Sequence, residues 1–463
     1  MLTAEQQRFI ESTQNTFLQA VPGAGKTTTI LHKLKTLYQR KYAGQKLLYL
    51  VFNTSLQQDI KTKLQVYPSI HVWTIHAFAL KLFTQIYGKT QLIKIFKHPL
   101  KLSEQFDEIF ESVKKALRTG KIILPYKYIV IDEAQDMSPI QIELIAAMLE
   151  SHSQLHTDIV GDINQAIYQF RGVDTNYLDA FLHRFHFQRM YLTRSFRLGP
   201  NTAKLLSSIF NTTIRSGSAQ RDTVYILQDY LLKGLAILQS PIKYWLFQDA
   251  PMESQYKSKS LTQQAKTLIQ GQDLAILATT NFQIKQVKNK LTQYNIPYSV
   301  LGTLPDDIKQ QLEVLSRLLQ EHSLDQQHTM PLPDPQINSP LLQNVINFFK
   351  QGDYFSATLK LYEVQQHYKR LKQPSCVNLA TIHQAKGLEF GTTIVFWSKQ
   401  DMVNIKTSQQ FQNMLYVALS RHRNTLIILL EQGIAIPATW LQHAKLLRES
   451  DLRQKVPKQQ SLI

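Results

Sequence analysis

A single cysteine, Cys376, stands among 463 residues. No intrachain disulfide can therefore staple the chain, and its fold must rest on its own core. No apolar run is long enough to span a bilayer. The first residues, Met1-Leu2-Thr3-Ala4-Glu5-Gln6-Gln7, lack the basic segment and apolar core of a secretory signal. No Cys/His group has zinc spacing and no His-Glu-x-x-His occurs, so no zinc site is expected. Acidic side chains are also scarce, 34 against 52 Lys and Arg, which leaves a formal charge of +18. A surplus of that size attracts a polyanion, with nucleic acid first and an anionic membrane surface second. Together these features predict a chain that is neither secreted nor membrane-embedded. It belongs in a reducing compartment, the cytoplasm of a bacterium or the nucleus of a eukaryote.

What is present is a globular composition: 43% apolar and 19% charged residues, enough for two or three packed domains. Apolar, strand-like runs occur at Thr16–Ala20, Lys46–Phe52, Tyr128–Ile131, Asp158–Val160 and Met190–Leu192. Between the first two, Ile30, Leu31, Leu34, Leu37 and Tyr38 recur at helical spacing. Strand–helix alternation of this kind predicts a parallel sheet covered by helices on both faces. The rhythm returns at Lys243–Phe247, Ala275–Leu277, Val377–Ala380, Thr393–Phe396 and Thr425–Leu430, with helices at Gln283–Gln293 and Ser408–Ser420. Two α/β domains are thus predicted. The proline-rich Met330-Pro331-Leu332-Pro333-Asp334-Pro335 marks a loop, and the chain after about Glu449 reads as a polar tail.

Ala20-Val21-Pro22-Gly23-Ala24-Gly25-Lys26-Thr27 follows a predicted strand and opens a helix, the setting of a phosphate-binding loop. Small residues let successive backbone N–H groups face phosphates, and the helix N-terminus adds positive potential. Lys26 can reach β- and γ-phosphates, and the Thr27 hydroxyl can bind Mg²⁺. The apolar strand Tyr128–Ile131 delivers Asp132 and Glu133 to its carboxyl end, where ligands bind in such sheets. Asp132 is the expected Mg²⁺ ligand. Glu133 is the expected base for the attacking water.

These motifs extend into a family resemblance. Asp132-Glu133-Ala134-Gln135-Asp136 resembles motif II of the UvrD/Rep-like superfamily 1 helicases. The remaining motifs follow in order along nearly the whole chain. Leu2–Gln6 resembles the Q motif, Val51–Thr54 motif Ia, and Thr74–Phe78 the next DNA-contacting motif. Gly161–Gly172 is similar to motif III, Leu192–Arg197 to motif IV, Thr381–Phe390 to motif V and Leu415–Arg421 to motif VI. The wording of motifs Ia and IV is most similar to the F-box DNA helicase branch. No F-box is expected before a Q motif that begins at Leu2, so a ubiquitin-ligase role does not carry over.

The resemblance implies two RecA-like domains with reduced, mostly helical insertions. Domain 1A is expected at 1–196, with a small 1B insertion at about 80–121. Domain 2A is expected at 197–303 and 374–448, a reduced 2B-like insertion at 304–373, and the tail at 449–463. It implies ATP and Mg²⁺ as cofactors, and single-stranded DNA and single/double-strand junctions as partners. The implied activity is 3′→5′ DNA helicase or translocase action in repair, recombination or replication. A translocase without unwinding and a nucleotide-gated DNA-binding protein stay open as alternatives.

Residue by residue, the resemblance implies that Gln6 reads the adenine edge, that Ala20, Val21, Pro22, Gly23, Ala24, Gly25, Lys26, Thr27 and Thr28 line the nucleotide site, and that Glu389 binds the ribose. Gln165, Arg197 and Arg421 contact the γ-phosphate. Phe52, Tyr168 and Phe170 stack on bases, and Asn53, Thr74, His76, Arg171, His383 and Lys386 contact the strand. Two positions depart from the family. Thr28 stands where many members have an adenine-stacking Arg, and Thr279 where Arg is usual.

Overall fold

A computed structural model describes residues 2–52, 54–97, 102–219, 222–228, 273–293, 297–304, 306–324, 340–351, 356–357, 360–361, 364–365, 368, 377–431 and 433–447. The predicted strand Lys243–Phe247, the loop Met330–Pro335 and the polar tail lie outside the described residues.

The amino-terminal part builds one sheet. Its strands are β1 (Thr16–Ala20), β2 (Lys46–Val51), β3 (Ile70–Thr74), β4 (Tyr126–Ile131), β5 (His156–Gly161) and β6 (Gln188–Leu192). They run parallel in the order β3-β2-β4-β5-β1-β6. The inner strands are continuous apolar runs because helices cover both faces. Leu47, Leu48, Tyr49, Ile129, Val130 and Val160 are all buried. Edge strand β3 alternates buried and half-exposed residues, so it carries no continuous apolar run and was not expected.

Helix Lys26–Arg40 buries Ile30, Leu34 and Leu37 against this sheet, each contributing roughly 1.5–3 kcal/mol. The same face buries a charge. Lys33 Nζ lies 2.5 Å from Asp158 Oδ2 with both side chains fully enclosed. Tyr128 donates to that oxygen at 2.6 Å, and the Phe9 ring sits 4.2 Å beneath the ammonium. In the predicted insertion range, helices Ile75–Tyr87, Lys89–Lys97 and Leu102–Arg118 form a helical layer.

A short pair, β7 (Arg194–Ser195) and β8 (Arg215–Ser216), precedes the second sheet. That sheet holds β9 (Thr223–Gln228), β10 (Leu274–Ala278), β11 (Tyr298–Val300), β12 (Val377–Thr381), β13 (Phe390–Trp397), β14 (His422–Leu430) and β15 (Lys445–Leu447), in the order β11-β12-β10-β13-β14-β9-β15. Its inner pairings are parallel. Strand β9 had no counterpart among the predicted strands. Thr279 closes β10 in a buried network, donating to Asp401 Oδ1 at 2.7 Å.

Both sheets belong to one compact unit, residues 1–299 with 374–463; residues 300–373 form a second. Within the second unit, helices Asp306–Leu324 and Pro340–Lys350 enclose Leu312, Leu315, Leu342 and Val345. Among the described residues no helix is long and apolar enough to cross a membrane.

Candidate active site and nucleic-acid interface

Strand β1 ends in the Val21–Gly25 turn, where Gly23 and Gly25 have φ of +74° and +79°. L side chains rarely adopt that left-handed region. A Cβ on Gly23 would also lie 2.5 Å from Arg197 Cβ. Gly25 caps helix Lys26–Arg40 without any side-chain cap. The first N–H groups of the helix are thus left for an anion. Gln6 is buried behind the loop and donates to Ala24 O at 3.3 Å and Thr29 Oγ1 at 3.0 Å, while its Oε1 accepts from Thr3 N at 2.9 Å. Its carboxamide braces the loop in this structure. Thr27 is half-buried and Thr28 exposed.

At the end of β4, Asp132 accepts from the Tyr49 hydroxyl at 2.9 Å and from the Glu133 amide at 2.9 Å. Glu133 itself has φ +53°, a strained setting for a residue with a side chain. Its carboxylate meets Lys26 Nζ at 3.0 Å and Gln135 Nε2 at 2.6 Å. Burial, then the neighbouring Glu133 charge, push Asp132 up to about 6. Burial also works against the charge on Glu133, but Lys26 and then Lys386 outweigh it and hold that carboxyl low. Asp162, at the end of β5, is buried and shifted upward by that burial.

Three acidic groups thus face one close ammonium, Lys26. Among the described residues, no three His, Cys, Asp or Glu side chains could hold a metal by themselves. A hydroxyl and one or two carboxylates are nevertheless the hard oxygen set that Mg²⁺ uses when phosphates and waters complete its shell. The donor set therefore fits Mg²⁺ with a nucleotide, and the residues present would be Thr27 and Asp132.

Elements of the second sheet close over this edge. Arg421 is buried and donates to Gln165 Oε1 at 3.3 Å, Val417 O at 2.9 Å and Ser420 Oγ at 2.8 Å. Gln165 in turn donates to Asp162 Oδ2 at 2.7 Å. Burial, and then the charge of Arg197, push the Arg421 guanidinium down. Arg197 pairs through Nη1 with Glu389, and its buried Nε has no partner among the described residues. Glu389, expected at a ribose, thus holds an arginine here. Behind the arginines, Asp222 caps helix Pro200–Phe210 by accepting from Asn201 N at 2.9 Å and Thr202 N at 2.8 Å. Thr202 meets His422 at 2.8 Å. Sequence reasoning missed Asp222, Tyr49 and Asp162. Asp162 alone had a signal, as the second residue of the motif III match.

The residues expected on DNA divide into two groups. Phe52 and Tyr168 are nearly parallel, with centroids 6.3 Å apart and planes at 16°. Phe170 is 62% exposed and meets the His383 ring edge-on at 5.2 Å. Phe52, Phe170 and His383 lie at the carboxyl ends of β2, β5 and β12 and are partly or largely exposed, whereas Tyr168, 8% exposed, is buried among them.

Three other expectations need correction. Lys386 does not face solvent. Its Nζ lies 2.5 and 2.7 Å from the Asp136 oxygens and 2.6 Å from Gln165 O, with the Tyr168 ring 4.9 Å away. The ammonium is fully engaged inside the protein. His76 packs edge-on against Phe106 and Phe110, at 4.8 and 5.5 Å. Burial lowers its pKa to about 4, so it carries no charge to a phosphate at neutral pH. The Thr74 hydroxyl caps helix Ile75–Tyr87 by accepting from Ala77 N at 3.2 Å. Asn53 lies outside the described residues. Arg171 is described only in its backbone, at the end of the short turn Gln169–Arg171.

A phosphate loop at the carboxyl edge of one RecA-like sheet, faced by Arg421 from a second and by Arg197 from the turn after β7, defines a two-domain P-loop NTPase. Comparison with known proteins carries this further. The AAA domain family matches residues 5–171, and the UvrD-like helicase C-terminal domain family matches residues 306–433. A probable DNA helicase II homolog of Mycoplasma pneumoniae is 26% identical over 66% of this chain and 54% of its own length. The ATP-dependent DNA helicase UvrD2 of Mycobacterium tuberculosis is 24% identical over 64% of this chain and 46% of its own. F-box DNA helicase protein 1 of Schizosaccharomyces pombe is 35% identical over 22% of this chain and 12% of its own. The chain belongs to the UvrD/Rep-like superfamily 1 helicases. It spans about half the length of the Mycoplasma relative.

Proposed function

We propose that this chain is an ATP-driven motor that moves 3′→5′ along single-stranded DNA and opens duplex at single/double-strand junctions, in repair, recombination or replication. One observation carries the reading. The segment Asp162–Tyr168 carries Gln165, which bonds Asp162 beside the phosphate loop and is gripped by Arg421 ahead of β14, and three residues later Tyr168, whose ring stacks on Phe52. ATP, when bound with Mg²⁺, supplies the phosphoryl bond whose cleavage drives the cycle. Gly23–Thr28 with Lys26 would hold the phosphates, and Thr27 and Asp132 the cation. Gln6 would approach the adenine and Glu389 the ribose. Glu133, held ionised, would take the proton of the attacking water. Arg197, Arg421 and Gln165 would stabilise the developing charge across the cleft. Phe52, Tyr168, Phe170 and His383 would stack along the strand, with Asn53 and Arg171 beside them.

The decisive experiment is ATPase activity with and without single-stranded DNA. Lys26→Ala and Glu133→Gln should each abolish stimulated turnover; normal turnover in either overturns the assignment. Phosphate release that DNA does not stimulate would favour a nucleotide-gated binding protein, and stimulation by RNA alone would replace the track. The short helical layer at Ile75–Arg118 and the small 300–373 unit favour a second reading, translocation without unwinding. Streptavidin displacement without strand separation would select it.

A further inference from the structure

The segment Asp162–Tyr168 is held from the second sheet's side through its own carbonyls. Lys386 takes Gln165 O at 2.6 Å, and His383 Nε2 meets Ile167 O at 3.0 Å. Between them, Asn413 Nδ2 donates to Ala166 O at 2.9 Å and approaches Ile163 O at 3.5 Å. Neither motif wording nor charge singles out Asn413. It lies in helix Gln409–Leu419 and is 3% exposed. Its Oδ1 accepts from Gln409 Nε2 at 3.0 Å, about one turn earlier, which turns the amide's donors toward the segment.

The same helix ends beside Arg421, whose guanidinium holds the Gln165 side chain. One rigid helix therefore grips neighbouring residues of one segment at two points. Arg421 reads the residue that faces the nucleotide. Asn413 reads the next residue, two before Tyr168, whose buried ring stacks on Phe52 and meets the exposed Phe170 edge-on. An interior amide that merely satisfied two carbonyls would stabilise the seam without linking the sites.

We propose that Asn413 is a positioning residue that couples the nucleotide site to the DNA surface: a shift of its helix at Arg421 is carried through the Asn413–Ala166 bond to Tyr168. This rests on the motor reading above. A coupling of this kind is a ratio of affinities and is reciprocal between the two ligands.

The test measures anisotropy of a fluorescein-labelled oligo-dT strand, with and without ADP–beryllium fluoride, on the full chain. Wild type is compared with Asn413→Asp, which keeps the shape but sets a carboxylate against two carbonyls, and with Asn413→Leu. In the variants each ligand alone should bind within about twofold of wild type, while the ratio of DNA affinities with and without nucleotide collapses toward one. Gln409→Ala, which frees the amide without touching the seam, should lower the ratio partway, and it decides the matter if the Asn413 variants do not fold. Variants that keep the wild-type ratio overturn the proposal, as do variants that lose each ligand's own affinity alike. A wild type that binds the two ligands independently overturns the motor reading, and this proposal with it.

Discussion

Replacing Lys386 by Met separates the two roles that this lysine can have. If it held a backbone phosphate, its loss would flatten the salt dependence of single-strand binding by about 0.7 in log–log slope, and the fold would be nearly indifferent. The structure instead buries the ammonium against Asp136 and Gln165 O. Its removal strands a carboxylate that burial already pushes up to about 6 despite the lysine. Removing one partner of such a pair costs about 3–5 kcal/mol, because the other charge stays buried and uncompensated. At roughly 1 °C per kcal/mol for a compact unit of this size, the melting temperature should fall by about 4–6 °C. Removing both charges in Lys386→Met/Asp136→Leu should recover most of that loss, since a buried pair and a well-packed apolar replacement are often near parity. The assays are thermal unfolding and a salt series of DNA anisotropy. A flattened salt slope with an unchanged melting temperature would refute the reasoning and return Lys386 to the strand.

Gly23→Ala should lower nucleotide affinity more than tenfold, because φ +74° and a 2.5 Å approach to Arg197 leave no room for a Cβ; titration with a fluorescent ATP analogue reads this out, and near-native affinity counts against the loop geometry. His76 is neutral in the fold, with its pKa lowered to about 4 from the ordinary 6.5. The unfolded chain therefore binds a proton first as pH falls, so this contribution is complete above about 6.5 and lost toward about 4. The loss amounts to about 3 kcal/mol in full and about 2 kcal/mol at pH 5. Urea midpoints at pH 7.5 and 5 should converge in His76→Phe. Phe52→Ala and Phe170→Ala should weaken single-strand binding by roughly 1–3 kcal/mol each, by a similar factor at low and high salt because stacking releases no counterions. An effect confined to low salt would point to charge instead.

Much of this molecule was legible in its sequence. Gly-Lys-Thr after an apolar run, Asp-Glu at the end of another, and strands at Thr16–Ala20 and Val377–Ala380 all depend on local chemistry. Backbone reach, helix N-termini and the period of burial act over a few residues, so a sequence displays them directly. Strand β3 escaped because an edge strand alternates rather than runs apolar. Tertiary structure alone decided which motif residues face a ligand and which hold the protein together. Lys386 and Phe170 sit in equally good motif matches, yet one is locked to Asp136, 250 positions away, and the other is exposed. His76 is neutral because Phe106 and Phe110 of a separate helix enclose it. Asn413 gained its two carbonyls only when the sheets met. Burial and partnership depend on what the distant chain brings alongside, and no short window of sequence contains that.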